Sequence, residues 1–374
     1  CQCGALVARS TASPVAVSLV NWVVTHAFPP RVLPKVDLSE GVPPEFSTVV
    51  VVPALLTSIE EVDDLFRQLE LHYLRNTDAN LLFALLTDFA DAPYEEMPED
   101  ESLIARATAR VEALNARYPR ERGAPFYFFH RRRRWNLREN AWLGWERKRG
   151  KLEEFNRLLL DPTAETSYAV TRGALDRLSD VRYVITLDAD TLLPRDGAAV
   201  LVGTLAHPLN RAEFDDREKV RAGYTILQPR TEILPTSAGQ SHFTRVFAGD
   251  TGLDLYTHAV SDVYQDLFGE GIFVGKGIYD VAAVERILAG RTPENALLSH
   301  DLFEGSFARA GLVTDIEVFE EFPSHYEVAL TRSLRWVRGD WQLLPWILGL
   351  HGPLPPLARF KMMDNLRRSL SAPA

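Results

Sequence analysis

Tyr183-Val184-Ile185-Thr186-Leu187-Asp188-Ala189-Asp190-Thr191 joins an apolar run to two carboxylates spaced two residues apart. The run predicts a strand buried on both faces of a mainly parallel sheet. In an extended or tightly turning segment, the two aspartates after it point to one side. Thr48 to Val52 (TVVVV) reads as a second buried strand, which Pro53 is expected to end. Ser58 and Glu61 form a capping-box pattern ahead of Ile59, Val62, Phe66 and Leu69, which are spaced for one helical face. The alternation continues with strands over residues 80–87 and 125–129 and helices over residues 102–118 and 140–160. This predicts an α/β layer fold with right-handed crossovers, whose ligands bind at the carboxyl ends of the strands. Asp88, Asp188 and Asp190 fall in loops at such ends.

Outside this core, Pro29, Pro30, Pro34, Pro43 and Pro44 read as an extended linker, so the folded domain is expected to begin near Phe46. The chain opens with Cys1 and has no run of about 18 apolar residues, so it reads as a piece of a longer protein without a complete membrane span. Residues 13–28 and 343–350 are apolar, and the second is followed by Arg359, Lys361, Arg367 and Arg368. They read either as interfacial helices facing anionic lipid or as amphipathic helices packed on the domain. Cys1 and Cys3 cannot staple a fold, which favours a reduced, cytosolic setting. A formal charge of -10 argues against a surface built mainly for nucleic acid.

The Asp188/Asp190 pair supplies hard oxygen ligands of the kind that suit Mg²⁺ or Mn²⁺ bound to a diphosphate; a solvated turn is the plain alternative. Residues 130–151 hold nine Lys or Arg interleaved with Trp135, Trp142 and Trp145, either as a phosphate or lipid-headgroup surface or, for most of the charges, as a solvated helical face. His300-Asp301 opens an expected helix, where Asp301 is either a cap or a general base. Arg332, Arg335, Trp336, Arg338 and Trp341 combine guanidinium groups and indoles suited to a saccharide beside a diphosphate, unless the Trp rings pack inward. The loop from Gly269 to Gly277 fails as a Walker loop, having Glu270 and Gly277 at the required Gly and Ser/Thr positions. Its glycines, Gly271 among them, suit close backbone approach to a ligand.

Taken in order, these pieces resemble a GT-A glycosyltransferase of the processive membrane type that includes cellulose and hyaluronan synthases, and in particular the glycosyltransferase domain of cyclic β-1,2-glucan synthases. The resemblance spans residues 20 to 374. It rests on Thr87-Asp88, Gly150-Lys151 with Asn156, Leu187 to Asp190, the Gly269 to Gly277 loop, His300-Asp301, Arg335-Trp336 and the terminal run from Asp364 to Leu370. It implies a GT-A core over residues 46–325, between a membrane-proximal helix with a proline-rich linker (1–45) and an Arg-Trp helix with C-terminal interfacial helices (326–374).

The resemblance further implies inverting transfer of glucose from UDP-glucose to a growing β-1,2-glucan. Asp88, Lys151, Asp188, Asp190 and Arg338 would bind the nucleotide sugar, and Asp188 and Asp190 would hold Mg²⁺ or Mn²⁺. Asp301 would be the base, Arg335 and Trp336 would close over the diphosphate, and Trp336, Trp341 and Gly271 would meet the acceptor. A larger parent is implied too, with flanking transmembrane helices and a phosphorylase-like module, at the cytoplasmic face of the bacterial inner membrane. The sequence departs from the wider superfamily at Arg332, where Gln is usual, and at His300-Asp301, where an acidic pair is usual. Two other readings stay open: a haloacid-dehalogenase-like phosphohydrolase, disfavoured by Leu192, and a non-catalytic sugar-nucleotide sensor.

Overall fold

The computed structural model describes residues 16–17, 19–248, 257–258, 261–352 and 354–370. Cys1, Cys3 and the start of the first apolar stretch lie outside the described residues. At the centre is a sheet of eight strands: β1 (Thr48–Leu56), β2 (Leu81–Phe89), β3 (Phe126–Arg131), β4 (Tyr168–Arg172), β5 (Tyr183–Thr186), β6 (Ile226–Ile233), β7 (Gly277–Asp280) and β8 (Ala310–Glu320). Their spatial order is β8-β6-β7-β5-β1-β2-β3-β4. β5, β1, β2 and β3 are parallel, as are β6 and β8, while β7 and β4 run against their neighbours. A mainly parallel sheet flanked by helices is the architecture the sequence implied.

The apolar runs are continuous because both faces of the sheet are covered. Val50, Val52, Phe83, Leu85, Phe128 and Ile185 face one side, where they pack with Phe66 of α1 (Ile59–Arg75), Val111 of α2 (Asp100–Arg117) and Leu201 of α4 (Gly197–Ala206). Their sequence neighbours Val49, Val51, Leu82, Leu86, Phe129 and Val184 face the other side, against Phe155 of α3 (Arg147–Leu160) and Val284 of α5 (Val281–Leu288). Fully burying one such Leu or Phe is worth about 1.5–3 kcal/mol, so these two layers are the main source of stability.

Local signals placed α1 correctly. Ser58 caps it by accepting from the Glu61 backbone N–H at 3.1 Å. Two expectations need correction. Pro53 does not end β1, which continues to Leu56. Val51 C=O accepts from Leu187 N–H on the β5 side, so Pro53, two residues on, presents its hydrogen-free nitrogen beyond the end of that pairing and no ladder bond is lost. The helix expected from Asn140 starts only at Arg147, because Arg134–Asn136 and Ala141–Leu143 form a hairpin with Trp135 opposite Trp142.

Residues 29–43 carry no helix or strand, yet they are fixed to the core. Arg31 N–H donates to Asp266, Val36 N–H donates to Gly203 C=O, and Asn210 donates to Pro34 C=O. Gly203 allows that contact, since a Cβ there would lie 2.4 Å from the Val36 carbonyl oxygen. At the other end, α7 (Tyr326–Gln342) and α8 (Pro356–Leu370) dock beside α6 (Asp301–Ala308). Leu302, Phe303, Trp346, Met362 and Leu366 form the seam. Gly339 is the buried residue of α7, lying against Ser299 where a Cβ would come within 2.6 Å. This close approach brings the Arg-Trp helix against the loop that leads into Asp301. Among the described residues, no helix is long and apolar enough to cross a membrane.

Candidate active site

A cleft of about 1310 Å³ opens past the carboxyl end of β5, along β6 and at the end of β8. Asp188 follows β5 and lines it, as do Asp301 at the first turn of α6 and Arg335, Trp336 and Arg338 on α7. The structure thus brings five of the residues singled out in the sequence onto one wall system. Asp190 sits beside it, 4.0 Å from Arg332, which lines the cleft and stacks over the Trp336 ring at 4.9 Å. Trp336 therefore does not pack inward. Nor is Asp301 a cap, because His300 occupies the cap position and makes no capping bond.

Asp188 is gripped by two ammonium groups. Lys148 Nζ donates to one oxygen at 2.6 Å and to Gly275 C=O at 3.0 Å, and Lys276 Nζ lies 3.2 Å from the other oxygen. Burial opposes ionisation here, but Lys148 and Lys276 outweigh it and hold the Asp188 carboxyl well below the usual range. Lys276 also pairs with Glu320 at the end of β8. Gly275 separates this cluster from the Asp301 carboxylate and has φ +86; a Cβ there would come within 2.7 Å of Asp301 Oδ1. Behind Asp301, His300 Nδ1 lies 3.0 Å from Glu304 and 3.5 Å from Asp301.

Asp88 and Lys151 do not line the cleft but lie in a buried ionic network beneath it. Arg131 binds Asp88 bidentately at 2.7 and 2.8 Å, and Lys151 Nζ lies 3.2 Å from the same carboxylate and donates to Ala54 C=O. Arg131 also donates to Glu154 and to the Trp145 and Arg147 carbonyls. Burial alone would raise the Asp88 pKa, but Lys151 and Arg131 bring it below the ordinary value. Burial pushes Lys151 down to about 8. Gly144 closes the network, since a Cβ there would sit 2.4 Å from the Asp88 carboxylate. Two acceptor candidates also lie off the cleft wall: Gly271 C=O accepts from buried Lys361, and Trp341 donates to Ser369.

The basic segment 130–151 is consumed largely by internal pairing. Besides Arg131, Arg133 pairs with Asp100, Arg147 with Asp91, and Arg149 with Glu146 and Glu153. Three of these acidic partners come from the carboxylate-rich segment 88–101, so the two oppositely charged runs neutralise each other across the ends of β2 and β3. Sequence reading missed Lys148 and Lys276 as site residues. Their signals were present, Lys148 one helical turn before Lys151 and Lys276 inside a loop read only for its glycines. Arg131 offered no such signal among four consecutive arginines.

No protein-family model matches the chain. Over 361 residues, 96% of its length, it is 48% identical to the cyclic beta-(1,2)-glucan synthase NdvB of Rhizobium meliloti (strain 1021), of which it spans 13%. At this identity, nearly the whole chain corresponds to one segment of a glucan synthase. More particularly, it is the homologue of one segment of a cyclic β-(1,2)-glucan synthase. Solved structures also align: Staphylococcus aureus TarS at 10% identity and TM-score 0.39, over 88% of this chain and 44% of that one, and mannosyl-3-phosphoglycerate synthase from Rubrobacter xylanophilus at 15% and 0.35, over 83% and 78%.

Proposed function

We propose that this domain transfers glucose from UDP-glucose to a growing β-1,2-glucan with inversion at the anomeric carbon. What carries the reading is that Asp188 and Asp301 face one cleft, with Lys148 and Gly275 between them and the Arg335-Trp336 pair opposite. In this scheme an acceptor hydroxyl attacks the anomeric carbon in line, its proton passes to Asp301, and UDP departs with the electron pair of the broken bond. Arg335 and Arg338 offer fixed positive charge to the departing diphosphate, and Trp336 offers a flat apolar face to a sugar ring.

The donor set fits Mg²⁺ or Mn²⁺. Each Asp188 oxygen faces an ammonium group, Lys148 or Lys276, so Asp190, with its side chain 38% exposed, is the carboxylate open to an incoming ion. A bound divalent cation would offset diphosphate charge there. Asp190→Ala is expected to abolish the Mn²⁺-dependent part of UDP affinity, read by calorimetry with and without the ion; equal affinities in variant and wild type would reject the role. Gly275→Ala forces a side chain into a left-handed φ and against Asp301, so turnover should drop while UDP affinity is retained. Steady-state rates beside a UDP titration check this.

The nucleotide-binding roles of Asp88 and Lys151 and the acceptor roles of Trp341 and Gly271 belong to this proposal, as do the unit boundaries at 45/46 and 325/326. We place the domain on the cytoplasmic face of a bacterial inner membrane, between transmembrane helices of its parent. Leu19, Val20, Trp22 and Val23 at one end and Leu348, Leu350 and Phe360 at the other support this, being large apolar side chains left exposed. The deciding experiment incubates membranes bearing the full-length protein with labelled UDP-glucose, Mn²⁺ and short β-1,2-linked oligosaccharides. UDP release with acceptor elongation is the expected result. Release of inorganic phosphate, or binding of UDP-glucose without its consumption, would overturn the proposal.

A further inference from the structure

Each transfer leaves a proton on Asp301 while donor and acceptor fill the cleft in front of it. Behind Asp301 lies a second, smaller cavity of about 60 Å³, also lined by His300, Glu304, Glu153, Glu285 and Thr292. That is room for at least one water, with carboxylates and a hydroxyl to bind it. His300 and Asp301 border both cavities. His300 is 7% exposed, and its Nδ1 faces Glu304 Oε1 at 3.0 Å and Asp301 Oδ1 at 3.5 Å. Among the described residues, Nδ1 and Asp301 Oδ1 are buried atoms without a well-formed hydrogen bond, so both stay available to each other.

We propose that His300 and Glu304 form a rear exit that carries the proton from Asp301 into the small cavity and on to solvent. The inference rests on Asp301 being the base. His300 Nδ1 gives its hydrogen to Glu304, then accepts the one on Asp301, and Glu304 releases its own to cavity water. One proton enters and one leaves, and each group returns to its starting state. Burial disfavours the imidazolium, but Glu304 and Asp301 outweigh it and raise the His300 pKa, which favours a hydrogen on the ring between the two carboxylates. Burial also raises Glu153 and Glu285 on the cavity wall, which suits them to take up a proton. Lys148 faces this group from α3, Arg149 and Arg157 flank Glu153, and Tyr279 donates to Asn156 nearby.

The test is Glu304→Gln in the full-length protein in membranes, with His300→Gln as the second variant and UDP affinity as the check on folding. Expected are a roughly tenfold or greater fall in kcat, at the low end of what proton transfer contributes, an unchanged UDP affinity, a larger solvent deuterium effect on kcat, and partial recovery of kcat with added imidazole buffer. Wild-type kcat in both variants would overturn the proposal, as would a loss that imidazole leaves untouched. Failure of the underlying reading looks different, because Asp301→Asn would then be active whatever the rear variants do.

Discussion

Asp301→Asn is expected to lower turnover by at least about 10²–10⁴-fold, the range that a positioned base contributes, with UDP affinity retained. The amide keeps the shape of the carboxylate but cannot take the acceptor proton. Its charge acts on His300 and Lys148, but α6 starts without Asp301 as a cap, and the Asp188 cluster is held by Lys148 and Lys276 on the far side of Gly275. A fold collapse is therefore not expected. The measurement pairs UDP release under saturating UDP-glucose with a UDP titration of the same preparation. Normal turnover would remove Asp301 from the chemistry, and lost turnover together with lost UDP affinity would make it a binding residue instead.

The sequence revealed most where one local rule matched one physical demand. β1, β2, β3 and β5 are short apolar runs because both of their faces are covered, and α1 announces its start through Ser58. β7 stayed hidden because its four residues begin inside a glycine loop, and β8 because Asp315 and Glu317 interrupt its apolar pattern near the rim of the sheet. In the site, Asp188 and Asp301 were legible from their places after a strand and at a helix start. Lys148 and Lys276 stood in segments the sequence marked out, but their shared partner Asp188 is set by contacts across 40 and 88 residues of chain that no spacing rule encodes. Asp88 was legible as a strand-end carboxylate, but its enclosure by Arg131 and Lys151 became visible only in three dimensions.

That enclosure leads to the largest expected effect on stability. Asp88→Ala would leave Arg131, fully buried, and Lys151, 3% exposed, facing each other without their shared carboxylate. Removing one partner of a buried ion pair typically costs about 3–5 kcal/mol, because the remaining charges stay desolvated. Glu154 does not compensate, since it already accepts from Arg131 and from the Ser167 N–H and hydroxyl. The same network fixes a pH dependence. Asp88 has a folded pKa below its unfolded one, so its contribution is present above the ordinary carboxylate range and is lost as pH falls through the depressed folded value. The variant lacks this term, so the gap between its melting temperature and that of the wild type should be widest near neutrality and should narrow in acid. Thermal unfolding followed by fluorescence across that pH range measures the gap, and a constant gap would mean that Asp88 contributes through packing and not through its charge.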